Sequence, residues 1–427
     1  MAGRDLEADG GVGFDVLRLL AQVLLANSGE GVGLAEGELR RAAAALGTDV
    51  ELLVLPEQLV LAPTPVAGDG TGGMVVVRTV PGIARLDRVS AAREIVDALE
   101  RGMPATAARE RLEVVAQAPP RLGWWTRVLG VMLFAAGFAP SVVATTSEVV
   151  TAVVLGLIMG LMLVAVDGRP AEAFLPAVSA AVLTWVAFAI RPGIVDLAGP
   201  VLVVLPALFV VLPGDTLSAG AGELLAGRIT SGTGRLVWSF LILAQMVVGI
   251  VAAAEVSGAG AAALTEQEVP AQLPFLVVLL AWIPFTVGLG LVFRARMSDL
   301  GWVLAGVLGT FLAQQAVTKV VGDVTGTLVA GVLLGAYATW VSRSVRRPPR
   351  LVVVLGGFFV LTVGSLGLRG ATALISGQPI TGVQNLVDFA LQMPTVALGI
   401  GIGFLVAARR WLPRRPPRRR QRSRSTM

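Results

Sequence analysis

The stretch "VLPGDTLSAGAGELLAGRITSGTGRLV" (211–237) interrupts a long run of hydrocarbon side chains with a proline, glycines, two acids and two arginines. A fainter copy stands 150 residues later. Residues 364–387, "GSLGLRGATALISGQPITGVQNLV", align under 214–237 without a gap. Gly214 meets Gly364, Gly220 meets Gly370, Gly227 meets Gly377 and Gly232 meets Gly382. The register also matches Phe209 with Phe359 and Gly249 with Gly399. Pro213, Gly214 and Gly364 are helix-break positions. Proline removes a donor and glycine loosens the backbone. Membranes tolerate such breaks only where protein or a water-lined cavity covers the freed groups.

The rest of the chain sets this pair in a membrane. Its 427 residues are 55% hydrophobic, with a mean hydropathy of +0.78. That composition is of a polytopic helical membrane protein. Ten spans are expected, at roughly 125–145, 149–166, 173–190, 195–213, 235–255, 273–293, 300–318, 324–341, 350–368 and 386–407. Residues 1–122 differ in kind and read as a small cytoplasmic α+β domain. Helical patterns cover 14–27, 34–46, 87–102 and 105–118, and strand-like runs cover 50–56, 58–62 and 74–78, with "GDGTGG" (68–73) as a turn. The expected organisation is then 123–255 as one five-helix repeat, 256–272 as an extracytoplasmic linker, 273–408 as a second repeat and 409–427 as a disordered tail. Five spans per repeat is an odd number, so the second half enters from the opposite side. That is the inverted arrangement many secondary transporters use for alternating access.

Charge gives the orientation. Arg127, Arg169, Arg228, Arg235, Arg294, Arg296, Arg343, Arg346, Arg347 and Arg350 fall on one side, and Arg191, Lys319 and Arg369 on the other. Both termini are expected in the cytoplasm. The tail after Ala408 holds nine arginines and no acid, which suits anionic lipid better than nucleic acid. The absence of Cys and His excludes disulfides, thiol chemistry, His–Cys zinc sites and a Ser-His-Asp triad. No GxxxxGK[ST] loop is present, so this chain carries no ATP motor of that type. "SGEGVG" (28–33) follows no strand and reads as a turn. Neither cofactor nor metal is expected.

The order and spacing of several motifs resemble those of the threonine/serine exporters. They are "VRTVPGIARLDRV" (77–89) after a strand, Pro213-Gly214 at a span's end, Gly227, Ser231, Gly232 and Arg235 before the next span, and the repeated second half. The resemblance implies ten spans, a soluble amino-terminal domain, and export of threonine and serine driven by the proton gradient across a bacterial plasma membrane. Where the family's second repeat often keeps a Pro-Gly, Val363-Gly364 stands here.

Candidate substrate and proton groups follow. Asp215 sits directly after the break, where a carboxylate can take a proton or an ammonium group. Thr216, Thr230 and Ser231 can bond a hydroxylated substrate or cap helices. Glu223 with Arg228 reads as a solvated loop pair. Asp388, four residues after Gln384, lies near the start of the last span, and an acid at membrane depth is a functional candidate. Lys319 and Asp323 are spaced to pair on one helix face. Gln314 and Gln315 read as amides holding helices together. Asp196 is placed to pair with Arg191. Gly156-x-x-x-Gly160, Gly331-x-x-x-Gly335 and Gly399-x-x-x-Gly403 mark close helix packing. The leading reading is a proton-coupled exporter of small polar amino acids, in which a homo-oligomer is allowed. The alternatives are a non-transporting scaffold or sensor and an intramembrane hydrolase.

Overall fold

The computed structural model describes residues 2–25, 32–55, 58–63, 74–78, 85–119, 123–143, 145–190, 199–265, 273–344, 346–361 and 363–409. The turn at 68–73, most of 28–33, the Arg191 and Asp196 pair and the tail from Arg410 lie outside them.

The amino-terminal part contains α1 (Ala2–Leu25), α2 (Val32–Leu46), β1 (Val50–Val54), β2 (Gln58–Pro63), β3 (Val75–Arg78), α3 (Leu86–Glu100) and α4 (Ala105–Gln117). The strands form an antiparallel meander in the order β1-β2-β3, with Val54, Leu59 and Val77 in one register row. That row is buried, whereas Leu53 and Val76 one residue away are exposed, as alternation requires. Leu17, Leu20, Leu39, Leu59, Leu61 and Leu112 join it in a core of its own.

The remaining helices are α5 (Trp124–Phe138), α6 (Thr146–Val166), α7 (Leu175–Ile190), α8 (Pro200–Leu208), α9 (Gly214–Leu225), α10 (Ile229–Val256), α11 (Phe275–Val292), α12 (Leu300–Val321), α13 (Asp323–Val341), α14 (Arg350–Val360), α15 (Val363–Ile375) and α16 (Pro379–Arg409). A pattern of two short helices and one long one occurs twice, with starts at 200, 214 and 229 and then at 350, 363 and 379. Among the described residues, eight helical segments are long and apolar enough to cross a membrane. Ten were expected. The two that fall short are α5, 15 residues long before a 3-10 turn at Ala139–Ser141, and α8, nine residues long and ended before Pro213.

Helix packing follows the glycines. A Cβ at Gly156 would lie 3.0 Å from the Cβ of Ala135, and one at Gly160 would lie 2.9 Å from the Cα of Val128, so α6 runs close against α5. Gly331 meets Gly399, and Gly335 and Gly403 meet the backbone of the facing helix, so α13 and α16 approach backbone to backbone. Between α5 and α11, Gly137 abuts Phe285 and Gly288 abuts Phe134. Rings of Phe134, Phe138, Phe209, Trp282, Phe285 and Phe359 fill the centre, with Phe138 and Phe209 centroids 4.2 Å apart. Each such pair adds about 0.5–1.5 kcal/mol beyond burial.

The amino-terminal part is fixed to one end of the bundle. Backbone N–H groups of Leu86 and Asp87 donate to the carbonyls of Phe293 and Arg294 at 2.9 and 3.1 Å. Arg296 pairs with Glu94, Arg93 donates to the carbonyl of Ser342, and Arg228 pairs with Glu36 at 2.8 Å. Arg343 also donates to the carbonyl of Ala407 at 2.8 Å. Thus α10 begins at the end of the bundle where α16 finishes.

Candidate functional site

The site is built on two buried, interrupted helices. All nine residues of α8 are buried, and so are Leu351 to Val360 of α14. A helix apolar on every side belongs at the centre of a bundle. After α8 the chain turns tightly: Val211 N–H donates to Leu208, and Gly214 N–H donates to Leu212 at 2.9 Å. Pro213 then opens α9 with φ −80° and ψ 39°. The matching break follows α14, where Gly364 lies in the first turn of α15.

The two breaks meet. A Cβ on Gly364 would lie 3.2 Å from the Cα of Gly214, and would overlap the side chain of Leu212. A Cβ on Gly214 would lie 3.3 Å from the ring of Phe358. Positions aligned by the sequence repeat therefore touch at the middle of the bundle. The close approach, rather than any positive φ, is what calls for glycine at both.

Asp215 and Thr216 occupy the first turn of α9. The Asp215 carboxylate accepts from the Thr216 backbone N–H at 2.7 Å and from its hydroxyl at 3.3 Å. A carboxylate here also meets the positive end of the helix dipole. Ser365, its counterpart beside Gly364, is buried.

Twelve residues on, the chain reverses at Gly227, whose φ of +77° favours glycine. This hairpin folds α10 back on α9 and brings Glu223 to Arg235 at 3.2 Å, both buried. Ser231 donates its hydroxyl to Glu223 at 2.5 Å. The expectation for Glu223 is corrected: it is not a solvated partner of Arg228. Arg228 turns outward to Glu36 of α2, and Glu223 belongs to a buried network. Ser231 is in that network rather than beside Asp215. The Glu-to-Arg spacing across a glycine turn was the available signal, but burial on both sides of a hairpin is not legible from local sequence.

The other expected residues lie apart. Asp388 and Gln384 share an exposed face of α16, and among the described residues no hydrogen bond or ion pair joins Asp388 to Asp215. Lys319 and Asp323 do not share a helix face. Gly322, at φ +114°, ends α12 between them, and Lys319 lies 5.9 Å from the ring of Phe275. Gln314 donates to Thr327 at 3.3 Å, joining α12 to α13 as an amide between helices does.

A family model matches residues 16–257, the ThrE family, described as "Putative threonine/serine exporter". The match covers more than half of the chain. This protein belongs to the ThrE family. The matched region ends at the C-cap of α10, so it takes in the amino-terminal part from residue 16, the Pro213-Gly214 break and the Glu223–Arg235 pair, and stops before the second half. No curated protein and no solved structure matches the chain. The family and the apolar helices together make this a multi-helix membrane protein of a transport family.

Proposed function

We propose that the protein exports small polar amino acids, threonine and serine foremost, in exchange for protons across a bacterial plasma membrane. The observation that carries the proposal is the meeting of Gly214 and Gly364 at two buried helix breaks, with Asp215 next in chain. Broken helices near the middle of a bundle are where transporters place substrate and coupling ions. Asp215 takes the proton or the substrate's ammonium group. Thr216 supplies a hydroxyl partner, and Asp388, with Gln384 one turn before it, is a second titratable position. Ser231 acts through Glu223, while Lys319 and Asp323 mark the far end of the bundle.

In this reading the chain crosses ten times, as two inverted units of 123–255 and 273–408 joined by 256–272. The opposite directions of α10 and α16 support it. Residues 1–122 and the arginine-rich tail 409–427 lie in the cytoplasm, the tail against anionic lipid.

Uptake of labelled threonine or serine into inverted vesicles, with and without an imposed proton gradient, tests the proposal. Gradient-driven accumulation is expected, with loss in Asp215→Asn. Accumulation that persists in that variant removes the role given to Asp215. No accumulation of any amino acid favours a scaffold or sensor.

A further inference from the structure

A small polar cavity lies where the amino-terminal part meets the second half of the bundle. Its volume is about 60 Å³, room for roughly four to six waters at about 10–15 Å³ each. One wall is α3, with Ser90, Arg93 and Asp97. The others are the turns before α12 and α14, with Asp299, Arg346 and Arg347.

Among the described residues, the α3 wall carries buried polar atoms that make no hydrogen bond. Ser90 is 4% exposed and Asp97 6% exposed. The Ser90 hydroxyl, Asp97 Oδ2 and Arg93 Nε are buried and have no hydrogen-bond partner among the described residues. Asp97 Oδ1 is taken by Arg41 at 2.5 Å, and Arg93 Nε stands 3.8 Å from Asp97 Oδ2, too far for a hydrogen bond. Buried groups without partners are uncommon and cost about 1–3 kcal/mol each. Three on the wall of one cavity indicate a ligand that completes them.

The charges say which kind. Glu94 and Arg296 at the rim are paired with each other. Asp97 is ion-paired with Arg41 and, at 3.8 Å, with Arg93, and Asp97 and Arg93 line the cavity with Asp299, Arg346 and Arg347. Asp299 is buried and has one long bond, from Ser298 at 3.3 Å. Arg347 lies over the rings of Trp302 and Trp340, at 4.7 and 4.8 Å. Arg346 has no ion pair among the described residues and is exposed at the mouth. An anion alone meets two carboxylates, and a cation alone meets three arginines. A small zwitterion satisfies both sets.

We propose that this cavity binds a free amino acid, its ammonium group on Asp97 and Ser90 and its carboxylate on Arg346 and Arg93. Only the second half of the bundle contributes the facing walls, so an occupant ties the amino-terminal part to that half. The site then acts as a cytoplasmic sensor separate from the helix breaks. The zwitterion follows from the cavity's charges, while the choice of threonine and serine as probes rests on the proposed transport function.

The test is equilibrium dialysis of labelled L-threonine and L-serine against the full-length protein in detergent micelles, in an Asp215→Asn background. Binding is expected to persist there. Ser90→Val and Arg346→Gln, each added to that background, are expected to weaken it at least tenfold. Ethanolamine and glycolate, each lacking one charge, are expected to compete at least tenfold less well than serine. Absence of binding in Asp215→Asn overturns the proposal, as does unchanged affinity in Arg346→Gln or equal competition by glycolate. Arg346 is exposed, so this variant decides the matter if Ser90→Val fails to fold. Binding without vesicle transport leaves this site standing and removes the exporter reading; transport without such binding does the reverse.

Discussion

Separating Glu223 from Arg235 should cost more than any other single polar change in the first half. The two charges stand 3.2 Å apart with side chains 6% and 7% exposed. At an effective dielectric constant near 20, that separation corresponds to about 5 kcal/mol of attraction. Removing one partner leaves the other charge buried alone, at a cost of about 3–5 kcal/mol. Removing both also removes both desolvation penalties, so the double change costs far less than the sum. The Ser231 hydroxyl adds a bond to a charged acceptor, about 1.5–3 kcal/mol. The assay is a double-mutant cycle with Glu223→Gln, Arg235→Gln and the pair, reading unfolding free energy by SDS titration of the purified protein in mixed micelles. Each single variant is expected to lose about 3 kcal/mol or more, with strong coupling between them. Two singles within about 0.5 kcal/mol of the parent, or a double variant equal to their sum, would refute the buried pair.

Gly335→Ala places a methyl against the backbone of Ile400 and should cost about 1–3 kcal/mol, whereas Gly309→Ala, with nothing within 4 Å, should gain up to about 1 kcal/mol from helix propensity; thermal unfolding in detergent reads both. Arg228→Ala breaks a partly exposed pair with Glu36, so the loss should be below about 1 kcal/mol and should vanish in 1 M salt. A hydrogen bond from Arg41 holds the Glu100 carboxyl below its usual range. Its contribution to stability is therefore full above the ordinary glutamate pKa of about 4.3 and lost as pH falls through the lower folded value. Unfolding of Glu100→Gln and parent compared between pH 3 and 7 should show the difference closing at the acid end, and a constant difference would contradict the assignment.

What was legible in the sequence is what short-range periodicity encodes. Apolar runs marked the long helices, alternation marked the strand rows, and glycines four apart marked the α5–α6 and α13–α16 contacts. The repeat register even identified two positions, Gly214 and Gly364, that touch in space. The failures share a different cause. Hydropathy over 195–213 counts one span, but among the described residues of that stretch the helix runs Pro200–Leu208 and the chain turns before Pro213. Lys319 and Asp323 have helical spacing, yet a glycine at positive φ ends the helix between them. Glu223 has the composition of a loop acid, and only the folding of α10 onto α9 makes it buried. Ser90 and Asp97 drew no notice, because each is ordinary on an amphipathic helix until a second body covers it.

The aligned halves share a backbone but not its charges, and this has a physical consequence. Asp215 aligns with Ser365, Glu223 with Ala373, Ser231 with Thr381 and Arg235 with Asn385. The α9–α10 hairpin is therefore closed by a buried ion pair, at the end of the bundle where Arg228 also meets the amino-terminal part. The α15–α16 hairpin has an alanine in place of the acid, and the Asn385 amide nitrogen is buried without a hydrogen-bond partner among the described residues. Opening the first hairpin means separating charges in a poorly hydrated interior, whereas positions 373 and 385 of the second, aligned with that pair, carry no charge. Two hairpins of like shape thus have unlike costs of opening. If the two halves exchange conformations as proposed, that difference makes the populations of the two end states unequal. The amino-terminal part joins the first hairpin through Glu36 and the second half through α3, so it contacts both units whose costs differ.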